Sequence, residues 1–288
     1  MIDLLFSPFS DFEFMRRALV GCTALSLSSA PVGVFLMLRR MSLTGDAMAH
    51  AILPGAAIGF LLAGLSIPAM TIGGLIAGAL VAILSGAIAR ATNSGEDASM
   101  AAFYLISLAL GVLIISQHGS NVDLLHVLFG SALALNDMAL YLLAGIATIS
   151  LILLAICYRP LVMECLDPAF LKSVSRLSTP THLCFLVLVV LNLVAGFHAL
   201  GTLMSVGLMI LPATSARFWS DKLGWLLILA VLIDIFSCFT GLLTSFYFGW
   251  STSPAIILVL GCIYVVSMLL GRRGGLLIKL IPRRHLTT

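Results

Sequence analysis

Two ionisable residues of this chain have types and spacing that suit joint chemistry. Asp46 and His50 lie four residues apart in the segment RRMSLTGDAMAHAILPGAAIG (39–59), and this spacing places both side chains on one face of a helix. A carboxylate and an imidazole on one face supply two ligands for a divalent transition metal. Two other interpretations stay open on spacing alone. The pair relays protons, or Asp46 caps the helix N-terminus with His50 hydrogen-bonded beside it.

The composition indicates whether most of the chain is surrounded by water or by lipid. Of the 288 residues, 61% are apolar and 9% are charged, whereas soluble domains average about 45–50% apolar and about 25% charged. Continuous apolar runs of this kind predict membrane-spanning helices rather than a barrel. We therefore expect an all-α polytopic bundle of eight or nine transmembrane helices, forming a single domain over 1–288. The runs are 15–38, 47–66, 68–89, 98–116, 138–157, 182–199, 201–216, 223–247 and 253–271.

The positions of the cations predict the orientation. With the N-terminus outside, only Arg16 and Arg17 of the 15 Lys and Arg residues fall on the outer side. Since cytoplasmic loops are enriched in Lys and Arg, the C-terminus is predicted to be cytoplasmic and the 117–137 loop to be outside. So few cations argue against a nucleic-acid partner.

Other ionisable residues lie within the apolar runs or near the outer surface. Asp234 is deep in an apolar run, where a charge is costly and indicates a functional site. We expect it either to line a translocation path or to pair with a hydroxyl such as Ser237. His118, Asp123 and His126 are candidates for an outer gate that collects a cation, with an ordinary wet loop as the alternative.

The long inner loop, 158–181, contains a helix-start signal. Asp167 is suited to an N-cap and Pro168 to the first helical position, and the two predict a short amphipathic helix at the membrane face. The loop is either a docking surface or a solvated connector. Small residues at GAAIG (55–59) and GLIAG (74–78) predict close helix packing.

The chain lacks the local motifs of several enzyme classes. It has no G-x-x-x-x-G-K-[ST], no H-E-x-x-H and no G-x-S-x-G, so it is not predicted to bind ATP through a P-loop or to be an enzyme of those types. No cofactor of its own is predicted.

The 39–59 segment resembles the most characteristic motif of one family, the integral-membrane permeases of ABC importers for zinc, manganese and ferrous iron (the ZnuB, MntB and AztB type). Later stretches at 122–135, 201–216 and 245–259 are similar to further family elements, although Ala255 follows Pro254 where the family usually has a glycine pair. The matching residues of the first motif are Ser42, Gly45, Asp46, Ala47, His50, Ala51, Pro54 and Gly55.

The resemblance implies the permease subunit of an ATP-driven importer in the bacterial inner (plasma) membrane, with zinc as the first expected cargo and manganese or iron(II) next. It implies Asp46 and His50 as metal ligands on the path. It also implies a second permease copy in a homodimer, two cytoplasmic ATP-binding subunits that hold the ATP, and a metal-binding protein outside. The 158–181 loop would then be the ATPase contact, through Asp167, Pro168 and Ala169. A secondary metal carrier driven by an ion gradient is the alternative.

Overall fold

The computed structural model describes residues 2–64, 66–91, 96–117, 135–167, 170–171, 173, 178–273 and 275–276. Within these ranges the chain forms eleven α-helices and no β-strand. The helices are α1 (Ile2–Asp11), α2 (Glu13–Leu38), α3 (Ser42–Ala51), α4 (Leu53–Ala63), α5 (Ile67–Ala91), α6 (Glu96–Gln117), α7 (Asp137–Leu166), α8 (Ser178–Leu200), α9 (Thr202–Arg217), α10 (Leu223–Phe248) and α11 (Thr252–Leu270).

Each predicted apolar run coincides with helical structure, and the polytopic all-α bundle is confirmed. In the described ranges seven helical segments are long and apolar enough to cross a membrane, with α3 and α4 counted together as Ser42–Ala63. The apolar part of α6 and the 16-residue α9 are shorter, because 16 residues rise only about 24 Å against a hydrocarbon core of about 30 Å. The predicted count of eight or nine spans is therefore not confirmed.

Helices α2 and α8 form the centre of the bundle. Phe35 and Leu36 of α2 and Phe185 and Leu188 of α8 are almost completely buried. The outer helices α5, α7 and α11 instead expose large apolar side chains. Helices with large apolar side chains facing outward are expected in lipid. The polar groups described below lie on buried faces or in clefts between helices, and one of them, Glu164, is on the buried side of α7.

Glycines allow two close helix contacts that the small-residue spacing predicted. A Cβ atom on Gly55 would lie 2.0 Å from the Gly73 carbonyl oxygen, and one on Gly59 would lie 2.6 Å from that of Ala69. The GAAIG segment of α4 is thus in backbone contact with α5. This contact fixes α4, and with it the end of α3.

The turn between α8 and α9 is tighter than the sequence suggests. The short apolar runs 182–199 and 201–216 predict a turn at 196–201, between Gly196 and Gly201. In the structure α8 continues to Leu200 and Gly201 alone reverses the chain, at φ 90°. Gly196 remains helical and lies against the Ser205 side chain, where a Cβ atom would approach its hydroxyl oxygen within 2.4 Å. The glycine that the sequence assigns to the turn therefore serves packing instead.

The inner loop is also shorter than predicted. Helix α7 extends to Leu166 and α8 begins at Ser178, so the connection covers 167–177 rather than 158–181. Pro160 lies inside α7 without ending it. The residues between 158 and 166 are consequently helical and partly buried, and one of them, Glu164, belongs to the cluster described below.

Candidate metal site

A tight corner joins α2 to the helix that contains Asp46. The Arg40 N–H donates to the Met37 carbonyl at 3.0 Å, and the Met41 N–H donates to the Leu36 carbonyl at 2.9 Å. Arg40 has a left-handed φ of 59°. This is the bonding pattern of a Schellman cap, in which glycine usually takes the left-handed position. Because only three residues separate the helices, α3 has a closely defined orientation relative to α2.

Asp46 and His50 lie on one open face of α3, as their spacing predicts. Asp46 Oδ1 is 4.0 Å from His50 Nε2, and the two side chains are 64% and 30% exposed, respectively. A metal held at about 2.1 Å by both atoms would bring them to roughly 3–3.4 Å from each other. A small side-chain rotation is enough to make that change, so the pair is suited to bind a cation that approaches from the open side.

Asp46 does not cap α3. The N-cap residue is Met41, which makes no side-chain capping bond, and Asp46 is the fifth residue of the helix. Capping side chains bond the free N–H groups of the first turn, and Asp46 lies beyond that turn. The interpretation of this carboxylate as a helix cap is wrong.

A cleft of about 430 Å³ lies beside Asp46. The Tyr104 ring of α6 is 6.3 Å from the His50 ring, measured between centroids. His50 Nδ1 is buried and has no hydrogen-bond partner among the described atoms. Nε2 is therefore the imidazole nitrogen that faces Asp46 and a bound cation. The cleft is lined, besides Asp46, by Leu43, Thr44, Ala47, Ala98, Met100, Ala101 and Tyr104.

The helix break after His50 follows from Pro54. Helix α3 ends at Ala51, and Pro54 has no N–H with which to bond the His50 carbonyl. The Ser107 hydroxyl of α6 donates to the Ala51 carbonyl at 2.9 Å. Helix α6 therefore both borders the cleft and satisfies a backbone oxygen at the break, which holds His50 near the cleft.

One chain supplies two ligands and no closed metal site in its described part. Among those residues, no group of three or more His, Cys, Asp and Glu side chains is placed to hold a metal. Closed structural sites use about four ligands. As a metal site, Asp46 and His50 would be a half-site that needs further ligands from water, from residues outside the described ranges or from another chain.

Asp234, the other candidate within the bundle, lies in a different environment. It is completely buried on α10, and neither carboxylate oxygen has a hydrogen-bond partner among the described atoms. Ser237 donates to the Ile233 carbonyl at 2.7 Å rather than to Asp234, so Ser237 is not the hydroxyl with which Asp234 pairs. In this conformation Asp234 is not open to a cation, and its place on a path stays a prediction.

The predicted outer gate lies outside the described residues, since His118, Asp123 and His126 all fall in 118–134. Their role as a gate stays a prediction.

The predicted ATPase contact is described only at its first residue. Asp167 Oδ1 accepts the Phe170 N–H at 2.9 Å, which is the bond of an N-cap. The helix start predicted at Asp167 is therefore confirmed. Pro168 and Ala169 lie outside the described residues, and the docking role of all three stays a prediction.

A buried polar cluster close to the α2–α3 corner is absent from the sequence predictions. Arg39 Nη2 lies 2.7 Å from His182 Nδ1 and 3.5 Å from Glu164 Oε1. The Arg39 and Glu164 side chains are only 10% and 5% exposed. The contacts join residues 125 and 143 positions apart, and local spacing gives no sign of such pairs. The one available signal is an acidic residue, Glu164, next to apolar positions.

Comparison with known proteins identifies the family of this chain. The model of the ABC 3 transport family matches residues 11–271. The manganese transport system membrane protein MntC of Halalkalibacterium halodurans is 26% identical over 279 residues, which cover 96% of this chain and 94% of that protein. The chelated iron transport system membrane protein YfeD of Yersinia pestis is 27% identical over 93% of this chain and 89% of its own length.

A solved structure has the same fold over almost the whole chain. The structure described as PsaBC from Streptococcus pneumoniae in complex with Fab aligns with a TM-score of 0.84 at 28% identity, covering 97% of this chain and 99% of the matched chain. The resemblance that the 39–59 motif indicated is thus confirmed over nearly the full length. The chain belongs to the ABC 3 transport family and is a multi-pass protein of the bacterial plasma membrane.

Proposed function

We propose that this chain is the permease subunit of an ATP-driven importer that carries manganese(II), with iron(II) as the second candidate. The observation on which this rests most is the open Asp46–His50 face on α3, found in a chain of a transport family. The relatives reported above are named for manganese and for chelated iron. The expectation that zinc is the first cargo is not supported by these relatives and is withdrawn.

The ligand chemistry is compatible with this cargo. Asp46 offers a carboxylate oxygen, which suits Mn(II), and His50 offers an imidazole nitrogen, which suits Fe(II). The lining of the adjacent cleft includes no cysteine, and thiolate ligands would favour softer metals.

A second copy of the permease is the proposed source of the missing ligands. Asp46 is largely exposed in the single chain. A two-fold axis beside this face would bring two Asp46–His50 pairs together, since a two-fold interface uses the same surface on both subunits. The result would be a four-ligand site shared by a homodimer.

Energy for transport is proposed to come from separate ATP-binding subunits. The chain has no P-loop motif, and its family is that of ABC transport proteins. The 167–177 loop, with Asp167, Pro168 and Ala169, is the proposed contact for two such subunits on the cytoplasmic side. A metal-binding protein delivers the cargo at the opposite face, near the proposed gate of His118, Asp123 and His126. The family match leaves a gradient-driven secondary carrier without support.

The test is metal uptake in bacteria that lack their own high-affinity manganese and iron importers. The cells would express this chain with its ATPase and binding protein. We expect manganese uptake by the wild type and loss of it, by about tenfold or more, in Asp46→Ala and in His50→Ala. A shift of the wild-type preference to iron or zinc would contradict the proposed cargo.

The matched control is Asp137→Ala. Asp137 is as exposed as Asp46, at 66% for the side chain, but it pairs with Arg17 at 3.0 Å on another helix. Uptake by this variant should stay near the wild-type level at equal expression. Normal uptake in both Asp46→Ala and His50→Ala would contradict the proposed metal site.

A further inference from the structure

Arg39 is shared between two helices that are separated in sequence by the coupling loop (residues 167–177). Its Nη2 atom lies 3.5 Å from Glu164 Oε1 on α7 and 2.7 Å from His182 Nδ1 on α8. The Ser178 hydroxyl, at the start of α8, donates to the same Glu164 oxygen at 3.4 Å. The guanidinium carbon is 5.0 Å from the centre of the buried Phe185 ring. One arginine therefore contacts both ends of this loop.

The donor pattern determines the state of the histidine. Arginine has no acceptor atom, so His182 Nδ1 must accept the Arg39 hydrogen bond with its lone pair. The ring is then neutral and its proton is on Nε2. Arg39 is thus held by one carboxylate and one neutral imidazole, each on a different helix.

The same arginine lies next to the helix that holds the proposed metal ligands. Arg39 directly follows α2, and α3 begins three residues later at Ser42. The intervening turn is closed by the Arg40 and Met41 backbone bonds described above. Because these backbone bonds close the turn, the backbone of Arg39 and the start of α3 are held in a defined relation.

The cluster is incompletely bonded in this conformation. Arg39 Nη1 and Glu164 Oε2 are both buried and have no hydrogen-bond partner among the described atoms. Arginine and a carboxylate can instead form two parallel bonds. A shift of the end of α7 relative to α2 would convert the single 3.5 Å contact into this two-bond arrangement, so the unpaired atoms leave room for a second bonding arrangement of the same residues.

Apolar packing would join these helices without the cost of burying charge. Replacement of a buried ion pair by apolar residues is often neutral or stabilising, so helix packing alone does not require these groups. Transmission between distant sites requires an element with two arrangements that both sites influence. The Arg39–Glu164–His182 cluster is placed to serve as such an element, because it joins α7 and α8 to the corner that precedes α3.

We propose that Arg39, Glu164 and His182 are positioning residues that transmit movement of the coupling loop to α3 and so change the geometry of Asp46 and His50. This inference rests on the proposed function, because it assumes that the coupling loop meets an ATPase and that α3 binds the cargo. Movement of the loop shifts the ends of α7 and α8 and thereby changes the bonding of the cluster. This change rotates α3 through the α2–α3 corner, and with it the face that holds Asp46 and His50.

The test measures coupling in the complete importer, reconstituted in vesicles with its ATPase subunits and binding protein. Manganese is the probe, and the readout is manganese transported per ATP hydrolysed. In Arg39→Met/Glu164→Met, which replaces the pair by apolar side chains, we expect this ratio to fall at least about tenfold. Equilibrium manganese binding by the detergent-solubilised permease should remain, because Asp46 and His50 are unchanged.

Two further variants separate transmission from folding. Glu164→Gln keeps the shape of the side chain and its ability to bond Ser178. We expect it to lower the same ratio, and it provides the test if the double variant does not assemble. The charge exchange Arg39→Glu/Glu164→Arg should recover part of the coupling that either single exchange removes. A purely structural role would change the melting temperature and leave the ratio unaltered.

The matched control is Arg17→Met/Asp137→Met. Arg17 and Asp137 also join two helices by an ion pair, at 3.0 Å, but away from the coupling loop. Normal coupling in both Arg39→Met/Glu164→Met and Glu164→Gln, or an equal loss in the control, would overturn the inference. Failure of the proposed function looks different: the wild type would then take up no manganese, or Asp46→Ala would still take it up.

Discussion

The Asp46–His50 face and the Arg39–Glu164–His182 cluster lie on either side of one helix corner and differ chiefly in burial. Asp46 is 64% exposed and, among the described residues, its nearest ionisable partner is His50 at 4.0 Å, whereas Glu164 is 5% exposed and contacts Arg39. An exposed carboxylate keeps its hydration and can exchange it for a cargo ion. A buried one needs a protein partner. Burial thus suits the carboxylate of Asp46 to the proposed binding role and that of Glu164 to the proposed positioning role.

Asp234 is a third case and qualifies this comparison. It is as buried as Glu164, but it lacks a bonded partner among the described residues. Burial by itself therefore does not indicate a role in transmission. The contacts to two other helices distinguish Glu164.

The largest expected difference in stability is between Glu164→Ala and Asp46→Ala. Removal of one partner of a buried pair leaves Arg39 uncompensated and should cost about 3–5 kcal/mol. Asp46→Ala removes an exposed group and should change the free energy of unfolding by less than about 0.5 kcal/mol. Thermal unfolding of both variants in detergent would measure this, and equal melting temperatures would contradict the proposed contrast.

Asp234→Val should act in the opposite direction. It removes two buried oxygens that have no described partner, and relief of that desolvation penalty should stabilise the bundle by about 1–3 kcal/mol. Thermal unfolding tests the stability, and manganese uptake per folded permease tests the role. A loss of uptake in a well-folded Asp234→Val variant would place Asp234 on the path after all, as the sequence first suggested.

Ser107→Ala tests the hydrogen bond between α6 and the helix break that follows His50. Its hydroxyl donates to the Ala51 carbonyl at 2.9 Å beside the helix break, and loss of one such bond should cost about 1 kcal/mol. We also expect weaker manganese binding, because the end of α3 is less firmly held. Titration of the purified variant with manganese checks this. Unchanged affinity would show that the break does not position His50.

Arg40→Gly gives the smallest expected effect and tests the corner itself. Arg40 has φ 59°, a conformation that costs a non-glycine residue about 1–2 kcal/mol. Glycine avoids that cost but loses more backbone entropy, so we expect a net stabilisation of about 0.5 kcal/mol. Differential scanning fluorimetry against Arg217→Gly, whose arginine lies in a regular helix end, would detect it. If Arg40→Gly is less stable than the wild type, the Arg40 side chain stabilises the corner by more than its backbone conformation costs.

Much of this molecule follows from local pattern. Apolar runs predicted the helical regions from α2 to α11 but not α1, and the i, i+4 spacing of Asp46 and His50 placed them correctly on one face. The glycine spacing at 55–59 indicated the contact of α4 with α5. The Asp167–Pro168 pair indicated the N-cap. Each of these depends on residues within about two helical turns, where backbone geometry relates spacing directly to position.

Three features were decided only by the folded chain. Tertiary packing kept Gly196 helical against Ser205 and left the turn to Gly201. Helix α7 continued past Pro160 and shortened the loop. The meeting of Arg39 with Glu164 and His182 requires helices far apart in sequence to arrive at one point. Composition and periodicity therefore determined that the chain is a helical membrane protein with Asp46 and His50 on one helix face. Which polar groups are buried and which stay open depends on helix packing, because burial is a property of neighbours that no local spacing specifies.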